Sequence, residues 1–487
     1  MAKKTTLRSP GVYVEELALL PPSVAEVATA IPAFIGYTER FEGSTPIVAE
    51  IGSLRDYENL FGRTPATPYK VKLLDADRTP QLYLAKPPAA GAPPAGGGPP
   101  PAAADVLAPM SSRPAWLLWH SLDFYFRNGG GRCYVVAVGK AAEGTTITSP
   151  ALIAGLKLLE KQDEPTLIVI PEATLLLQAS DFGDVAKEAL KHCDKLMDRF
   201  AILDVQELAN AAPLTKKNDL DAARESYGDA SLSYGAAYYP FLNSTISPLV
   251  DDALITVDPT IPGQPAAAAV KLDSLKTADT ELYNKIQRLL ANVRVTLPPS
   301  PAIAGAYVSV DRDRGVWKAP ANVGLQAVIS PVDLMTDDQQ GSFNIDATTG
   351  KSINAIRSFT GRGTVVWGAR TLAGNDNEWR YVPVRRLFIT IEESVKKATN
   401  FAVFEPNDAS TWLKVKGMIE SYLYTLWEQG ALQGSKPESA YFVNVGLGRT
   451  MTAQDILNGL LKVEIGIAAV RPAEFIILRF SHRLAQA

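Results

Sequence analysis

Between residues 132 and 205 the chain alternates strand-like and helix-like segments, and nothing else in it constrains the fold as strongly. Arg132–Val138 reads as a core strand, and a helical pattern follows over Leu152–Lys161. Thr166–Ile170 is again strand-like, Asp184–Arg199 helical, and Phe200–Val205 strand-like. Short apolar runs joined by helical crossovers predict an α/β (α+β) layer with at least partly parallel strands. Upstream, Ile31–Tyr37 and Ile47–Ile51 read as buried strands, and Leu54–Leu60 as a short helix. Ala115–Arg127 reads as an aromatic-rich helix that Gly129–Gly131 ends.

The C-terminal part, from about Asn375, is as legible. Leu387, Ile391, Val395, Ala398 and Ala402 recur at helical spacing. Trp412, Val415, Ile419, Tyr422 and Leu426 do the same, with Ser410 the expected N-cap and Gly430 the expected stop. Tyr441–Val445 reads as a strand. Leu461, Val463, Ile465 and Ile467 alternate with Lys462, Glu464 and Gly466, as in a strand buried on one face. Gly11–Glu16 is extended, and Phe475–Leu478 is continuously apolar.

Two regions fit none of these patterns. Residues 85–104 hold seven of the chain's 35 prolines, with four Gly, eight Ala and one Lys. Proline blocks regular helix and sheet, so Pro87–Pro101 is expected as a flexible or polyproline-type surface insertion. A ligand for a proline-recognition domain is the alternative. Tyr69–Leu74 and Gln81–Ala85 are expected as the hairpin carrying it. Residues 206–277 carry Pro, Asn, Asp and Ala clusters and are expected to be largely a second insertion. Thr280–Asn292 is helical, and Pro298–Arg314 is broken by proline before the acidic-basic Asp311–Arg314.

Composition narrows the function classes. The apolar fraction of 46% and charged fraction of 21% are those of a folded chain. With 487 residues, at about 150 per domain, two to four domains are expected. A net charge of -4 gives no global field favouring nucleic acid. Two cysteines, Cys133 and Cys193, exclude a disulfide scaffold. Met1–Gly11 is positively charged, but no apolar stretch follows it, so a signal peptide is not expected and cytoplasmic assembly is. No run of about 18 uncharged apolar residues calls for a membrane span.

A search for catalytic chemistry returns little. His120, His192 and His482 stand far apart, and His192 beside Cys193 on a helix points about 100° away from it. Gly129–Gly131 precedes a strand rather than a helix, the reverse of a phosphate loop. Val445–Thr450 follows a strand and precedes a helical stretch at Ala453–Leu457, but lacks the spacing of a nucleotide fingerprint. Asn375–Glu378 reads as a polar loop rather than a calcium loop. Asp311, Asp313, Asp337 and Asp338 read as salt-bridged or solvated carboxylates. Arg385–Arg386 and Lys396–Lys397 are expected on a charged interface or a solvated face. No cofactor and no metal are expected.

Several segments together resemble the contractile tail sheath proteins of phages and of phage tail-like contractile injection systems. They are Ser9–Glu16, Ala30–Thr38, Phe126–Val135, Asp163–Pro171, Arg314–Asn322, Gly361–Arg370, Tyr381–Phe388, Gly446–Thr452 and Val470–Phe475, in family order. The resemblance implies a mechanical protein rather than an enzyme. It implies a mixed-sheet sheath core with helices on its faces, an outer domain with insertions, and terminal β-strand arms exchanged between subunits. The implied division is an N-terminal arm over 1–22, a middle and outer α/β domain over 23–374, an inner domain over 375–469, and a C-terminal arm over 470–487. Insertions lie at about 79–114 and 206–277. The implied strand-exchanging residues are Gly11, Val12, Tyr13, Val14, Glu15 and Glu16 at one end. At the other they are Glu474, Phe475, Ile476, Ile477, Leu478, Arg479 and Phe480, with hinges at Leu17–Pro22 and Val470–Ala473. Implied partners are further copies in hexameric rings stacked as a helix, an inner tube protein, and baseplate and cap proteins. Neither nucleic acid nor membrane insertion is implied. Lys414 and Lys416 are the expected tube contacts. The competing readings are an α/β phosphate or sugar enzyme near Gly446–Thr450, and a non-contracting tail or baseplate component with a sheath-like core.

Overall fold

The computed structural model describes residues 24–43, 45–75, 77–85, 105–107, 111–176, 178–206, 217–260, 265, 267–346 and 348–475. The expected strands at Gly11–Glu16 and Ile476–Phe480, and the proline-rich stretch 86–104, lie outside them. The described residues form two compact units. The larger runs over Val27–Glu393 and resumes at Val470; the smaller comprises Ser394–Ala469 with residues 24–26. By compactness the smaller unit begins at Ser394, inside the helix Val382–Ala398.

The larger unit is built on nine strands. In chain order they are β1 (Pro32–Thr38), β2 (Ile47–Ile51), β3 (Cys133–Lys140), β4 (Leu167–Val169), β5 (Phe200–Asp204), β6 (Gly235–Tyr239), β7 (Val323–Gly324), β8 (Ile353–Phe359) and β9 (Gly363–Val366). Across the sheet they run β7, β9, β8, β6, β5, β4, β1, β3, β2. All pairings from β8 to β3 are parallel, and the outer pairings are antiparallel. β1 reads PAFIGYT and all of it is buried, because helices cover both faces and remove any polar alternation. β2 was expected to be buried as well. It is an edge strand paired only with β3, and only Ile51 is fully buried.

The expected crossover helices form at Ser149–Leu158 and Ala179–Leu196. Pro298–Arg314, expected as a broken segment, is instead the helix Ser300–Arg314. Its prolines sit at the N-cap and in the first turn, where no donor is lost. It is buried on nearly all sides, so it has no one-sided apolar stripe to betray it. Gly305 lets it approach the helix Leu118–Arg127 closely; a Cβ there would lie 2.8 Å from the Tyr125 carbonyl oxygen.

The expected insertion over 206–277 is corrected by the sheet. β6 is one of its inner strands, and Leu242–Ser244 pairs in a separate four-stranded sheet with Arg294–Leu297 and Val328–Pro331. The rest of that stretch does stand apart. Thr256–Asp258 and Val270–Lys271 join Tyr69–Leu73, Pro80–Ala85 and Asp105–Leu107 in a five-stranded sheet. Helices Leu272–Ala278 and Thr280–Leu290 close a separate small core over it, with Tyr69, Val71, Val257, Leu275, Ile286 and Leu290 inside. The proline-rich stretch is spanned by a strand pair whose last partners are Ala85 and Asp105.

The smaller unit holds the helix Ala409–Glu428 and a two-stranded antiparallel sheet of Tyr441–Val445 and Val463–Ile467. The helix buries Val415, Met418, Ile419, Tyr422, Leu423 and Leu426, at the expected spacing. Its N-cap is Asp408, not Ser410: the Asp408 carboxylate accepts a 3.0 Å bond from the Thr411 amide. Gly430 follows the helix with a φ of 83°, as the expected stop.

Candidate functional site

In a doubly wound sheet, ligands bind outside the carboxyl ends of the strands where the winding reverses. Here that point is β1, which the chain leaves toward β3 on one side before returning to β4 on the other. The protein fills the crevice itself. Glu172, in the turn after β4, is fully buried and accepts from the Tyr37 amide at 2.7 Å. Its other oxygen accepts from the Leu117 and Leu118 amides at 3.2 and 3.3 Å. These are the free donors at the start of helix Leu118–Arg127, which lacks a side-chain cap of its own. Gly36 makes room, since a Cβ there would meet Glu172 Oε2 at 2.9 Å. Burial pushes the Glu172 carboxyl up to about 7 against the pull of the three amides. A structural carboxylate therefore stands where an enzyme of this topology would hold an anion.

The turn Gly446–Thr450 does follow a strand and precede a short helix, Ala453–Leu457. Its amides are spent, however. Those of Arg449, Thr450 and Met451 all bond the Gly446 carbonyl, and that of Gly448 bonds the Met451 carbonyl. The Thr450 hydroxyl is held by the Lys462 carbonyl at 2.6 Å. The turn is thus folded back on its own carbonyls rather than opened toward a phosphate. His192 and Cys193 are both buried, and the imidazole Nε2 stands 3.4 Å from the Arg199 guanidinium. Among the described residues no group of three or more His, Cys, Asp or Glu is placed to hold a metal. Among them, too, no helix is long and apolar enough to cross a membrane.

The paired arginines correct another expectation. Arg385 and Arg386 are not on a solvated face; both are buried in the larger unit. Arg386 forms a two-pronged pair with Asp311, at 2.9 and 2.5 Å, over the Tyr307 ring. It also donates to the Thr29 carbonyl at 2.9 Å. The same carbonyl accepts from the Thr166 hydroxyl, whose oxygen accepts the Ile31 amide at 2.8 Å. The chain is thereby fixed to the larger unit from Thr29 onward. Arg385 lies between the rings of Tyr234 and Trp379. Asp337, an expected paired carboxylate, meets Arg357 at 2.6 Å.

A second fixed point lies near the other end. Glu474 accepts from Arg370, Asn344 and Tyr381, all in the larger unit. Phe475 follows, exposed and outside any strand. Of the expected tube contacts, Lys414 is exposed on helix Ala409–Glu428, while Lys416 is half-buried and paired with Glu420 at 3.5 Å.

The sheet with the fewest strands among the described residues is the hairpin of the smaller unit. Among the described residues its sheet has two strands, so each keeps one unpaired edge. Val443 and Val445 are buried, while Ile465 and Val463 opposite them are half-covered. Two strands alone are marginal in water, and an open edge is a template for another chain. No sequence pattern marked these edges as open, because edge status depends on what pairs beside it.

Comparison with known proteins agrees along the whole chain. Residues 374–483 match the phage tail sheath C-terminal domain family. The sheath of an extracellular contractile injection system, PVC, in its contracted state is 33% identical, covering 98% of each chain, with a TM-score of 0.64. The helical sheath of the anti-feeding prophage in its contracted state is 32% identical, covering 98% of this chain and 99% of that one, with a TM-score of 0.62. The tail sheath proteins of Vibrio phage KVP40 and Enterobacteria phage T4 match more locally. They are 27% and 23% identical over 136 and 141 residues, which is 28% and 29% of this chain and 20% of each of theirs. With a mixed α/β core, an own carboxylate in the ligand crevice and full-length likeness to contracted sheaths, the chain belongs to the contractile tail sheath family.

Proposed function

We propose that the chain is the sheath subunit of a contractile injection machine, one that polymerises as stacked hexameric rings around an inner tube. The sheath is built extended and metastable, and its shortening drives the tube into a target. The full-length likeness to sheaths of contractile injection systems in the contracted state carries this reading. Chemical catalysis has no part in it; the energy of the stroke is stored in subunit packing at assembly. Baseplate and cap proteins are the further partners, and the particle is phage tail-like, assembled in the cytoplasm.

The arms 11–16 and 474–480 link neighbours by adding strands to a sheet of the next subunit. The hairpin Tyr441–Val445 and Val463–Ile467 is the receiving sheet, because it alone among the described sheets has only two strands. Each backbone bond so formed contributes roughly 0.5–1.5 kcal/mol. A set of them survives while the rigid cores reorient. Bistable packing of this kind converts small shifts into a large stroke.

Lys414 and Lys416 face the tube in this reading. The double variant Lys414→Glu, Lys416→Glu is expected to form sheaths that no longer hold tube, seen as tube loss on co-purification. Tube retained at the native level would remove the assignment. Negative-stain microscopy of the overexpressed chain tests the function itself. Helical tubes or cogwheel-shaped rings are expected; a uniform small oligomer would contradict it.

A further inference from the structure

The C-terminal segment does not leave the larger unit where an arm beginning at residue 470 would. Arg471 Nη1 donates to the Asn377 carbonyl at 2.8 Å. Three residues on, Glu474 is gripped from three directions. Arg370 reaches it with Nε at 2.9 Å and Nη2 at 2.5 Å, a two-pronged ion pair. Asn344 Nδ2 donates to the same carboxylate at 2.9 Å, and the Tyr381 hydroxyl at 3.3 Å.

The receiving end is rigid. The Arg370 side chain is only 4% exposed, and its Nη1 is held by the Asn344 and Gly374 carbonyls. Its backbone is locked as well: Asn354 bonds both the Arg370 amide and the Arg370 carbonyl, at 2.8 and 2.7 Å. Asn354 lies on β8, so a pull on Glu474 passes into an inner strand of the sheet. Two-pronged guanidinium–carboxylate geometry resists shear in a way that one exposed pair does not. Three separate sequence segments converge here, Gly361–Arg370, Tyr381–Phe388 and Val470–Phe475, each contributing one of the bonded side chains.

We propose that Arg370 and Glu474 are positioning residues that moor the C-terminal arm, so that the exchanged strand begins at Phe475 and the segment before it stays with its own subunit. This rests on the arm-exchange reading given above. Glu474 is then no part of the exchanged strand. It is the fixed point from which that strand is presented. A strand over Phe475–Phe480, at about 3.3 Å per residue, reaches about 20 Å from it. A short tether of fixed origin raises the effective concentration of the arm at one neighbour and lowers it at others. During a stroke the same contact takes the load that would otherwise peel residues 470–474 away.

The test uses the full-length chain with Glu474→Ala and Glu474→Gln. Mobility is read in the unassembled chain by a nitroxide on Phe475→Cys, an exposed position; Cys133 and Cys193 are buried and escape labelling. Assembly is read separately, without the label, as sheath length in negative stain. The mooring predicts a severalfold faster nitroxide in Glu474→Ala and a smaller gain in Glu474→Gln, which keeps part of the bonding. It also predicts sheaths short or absent in Glu474→Ala and partly restored in Glu474→Gln, at temperatures well below a midpoint that the unpaired Arg370 charge lowers. Unchanged nitroxide mobility would overturn it, as would a mobile label with sheaths of native length. A fall in the midpoint that accounts for the assembly loss would reduce the pair to a stabilising contact and overturn the positioning role. The mobility measurement needs no assembly. A wild-type chain that forms no sheaths but shows the mobility change therefore overturns the sheath reading and not the mooring.

Discussion

At the scale of single residues, burial decides what each charged group does. Glu172 is the clearest case, since its native-state proton affinity exceeds that of an ordinary carboxylate. Between its ordinary value of 4.5 and about 7 the folded chain holds a proton that the unfolded chain has lost. This group's contribution therefore falls as pH rises through that window and is flat above it. The shift corresponds to about 3 kcal/mol. Urea unfolding of wild type and Glu172→Gln is expected to show the stability difference moving by about that amount toward the variant between pH 4.5 and 7.5; parallel profiles would contradict it. Arg386 and Arg370 act in the opposite sense, as buried charges kept by buried or half-buried partners. Removing one member of such a pair leaves an uncompensated charge, typically at 3–5 kcal/mol. That the Arg385–Arg386 pair is internal was not legible in the sequence. Two adjacent arginines look alike on a surface and in a core, and their partners, Asp311, Tyr307 and Tyr234, lie far away along the chain.

At the scale of elements, the hairpin proposed to receive the arms carries the account. Placing a lysine on its open edge, with Val463→Lys, should leave the smaller unit folded, since Val463 is only half-covered. Charge on an edge strand blocks further pairing. Sheath assembly should then fail while circular dichroism stays native; normal sheaths would show that the edge is not used. The strands and helices with a clear period were readable beforehand. β1, β3, β5 and helix Ala409–Glu428 fall within a few residues of their expected places. Elements without a one-sided pattern were not. Ser300–Val310 is covered on nearly every side before the charged last turn, and β6, GAAYY, follows a stretch that reads as insertion. The Asp408 cap lost to Ser410 in the reading because both are good capping residues two positions apart. The hairpin was legible as strands and illegible as a site, because a free edge is a property of tertiary neighbours.

At the scale of the whole molecule, the described residues form an α/β unit and a smaller helix–hairpin unit. The proline-rich stretch is spanned by a sheet that has its own small core, apart from the nine-stranded one. Deleting residues 87–101 should therefore leave both stability and sheath formation intact, checked by thermal melting and microscopy. Deleting residues 1–16 should leave a folded chain that forms no stable sheaths, and long sheaths from it would remove the N-terminal arm assignment. The same economy explains why a search for catalysis finds little. The crevice that such a fold offers to a ligand holds the chain's own Glu172. The most direct measurement is cryo-electron microscopy of the assembled sheath at a resolution that traces the backbone. The account predicts strands from neighbouring subunits, including residues 11–16 and 475–480, along the hairpin Tyr441–Val445 and Val463–Ile467. A hairpin that remains two-stranded in the assembled sheath would contradict it.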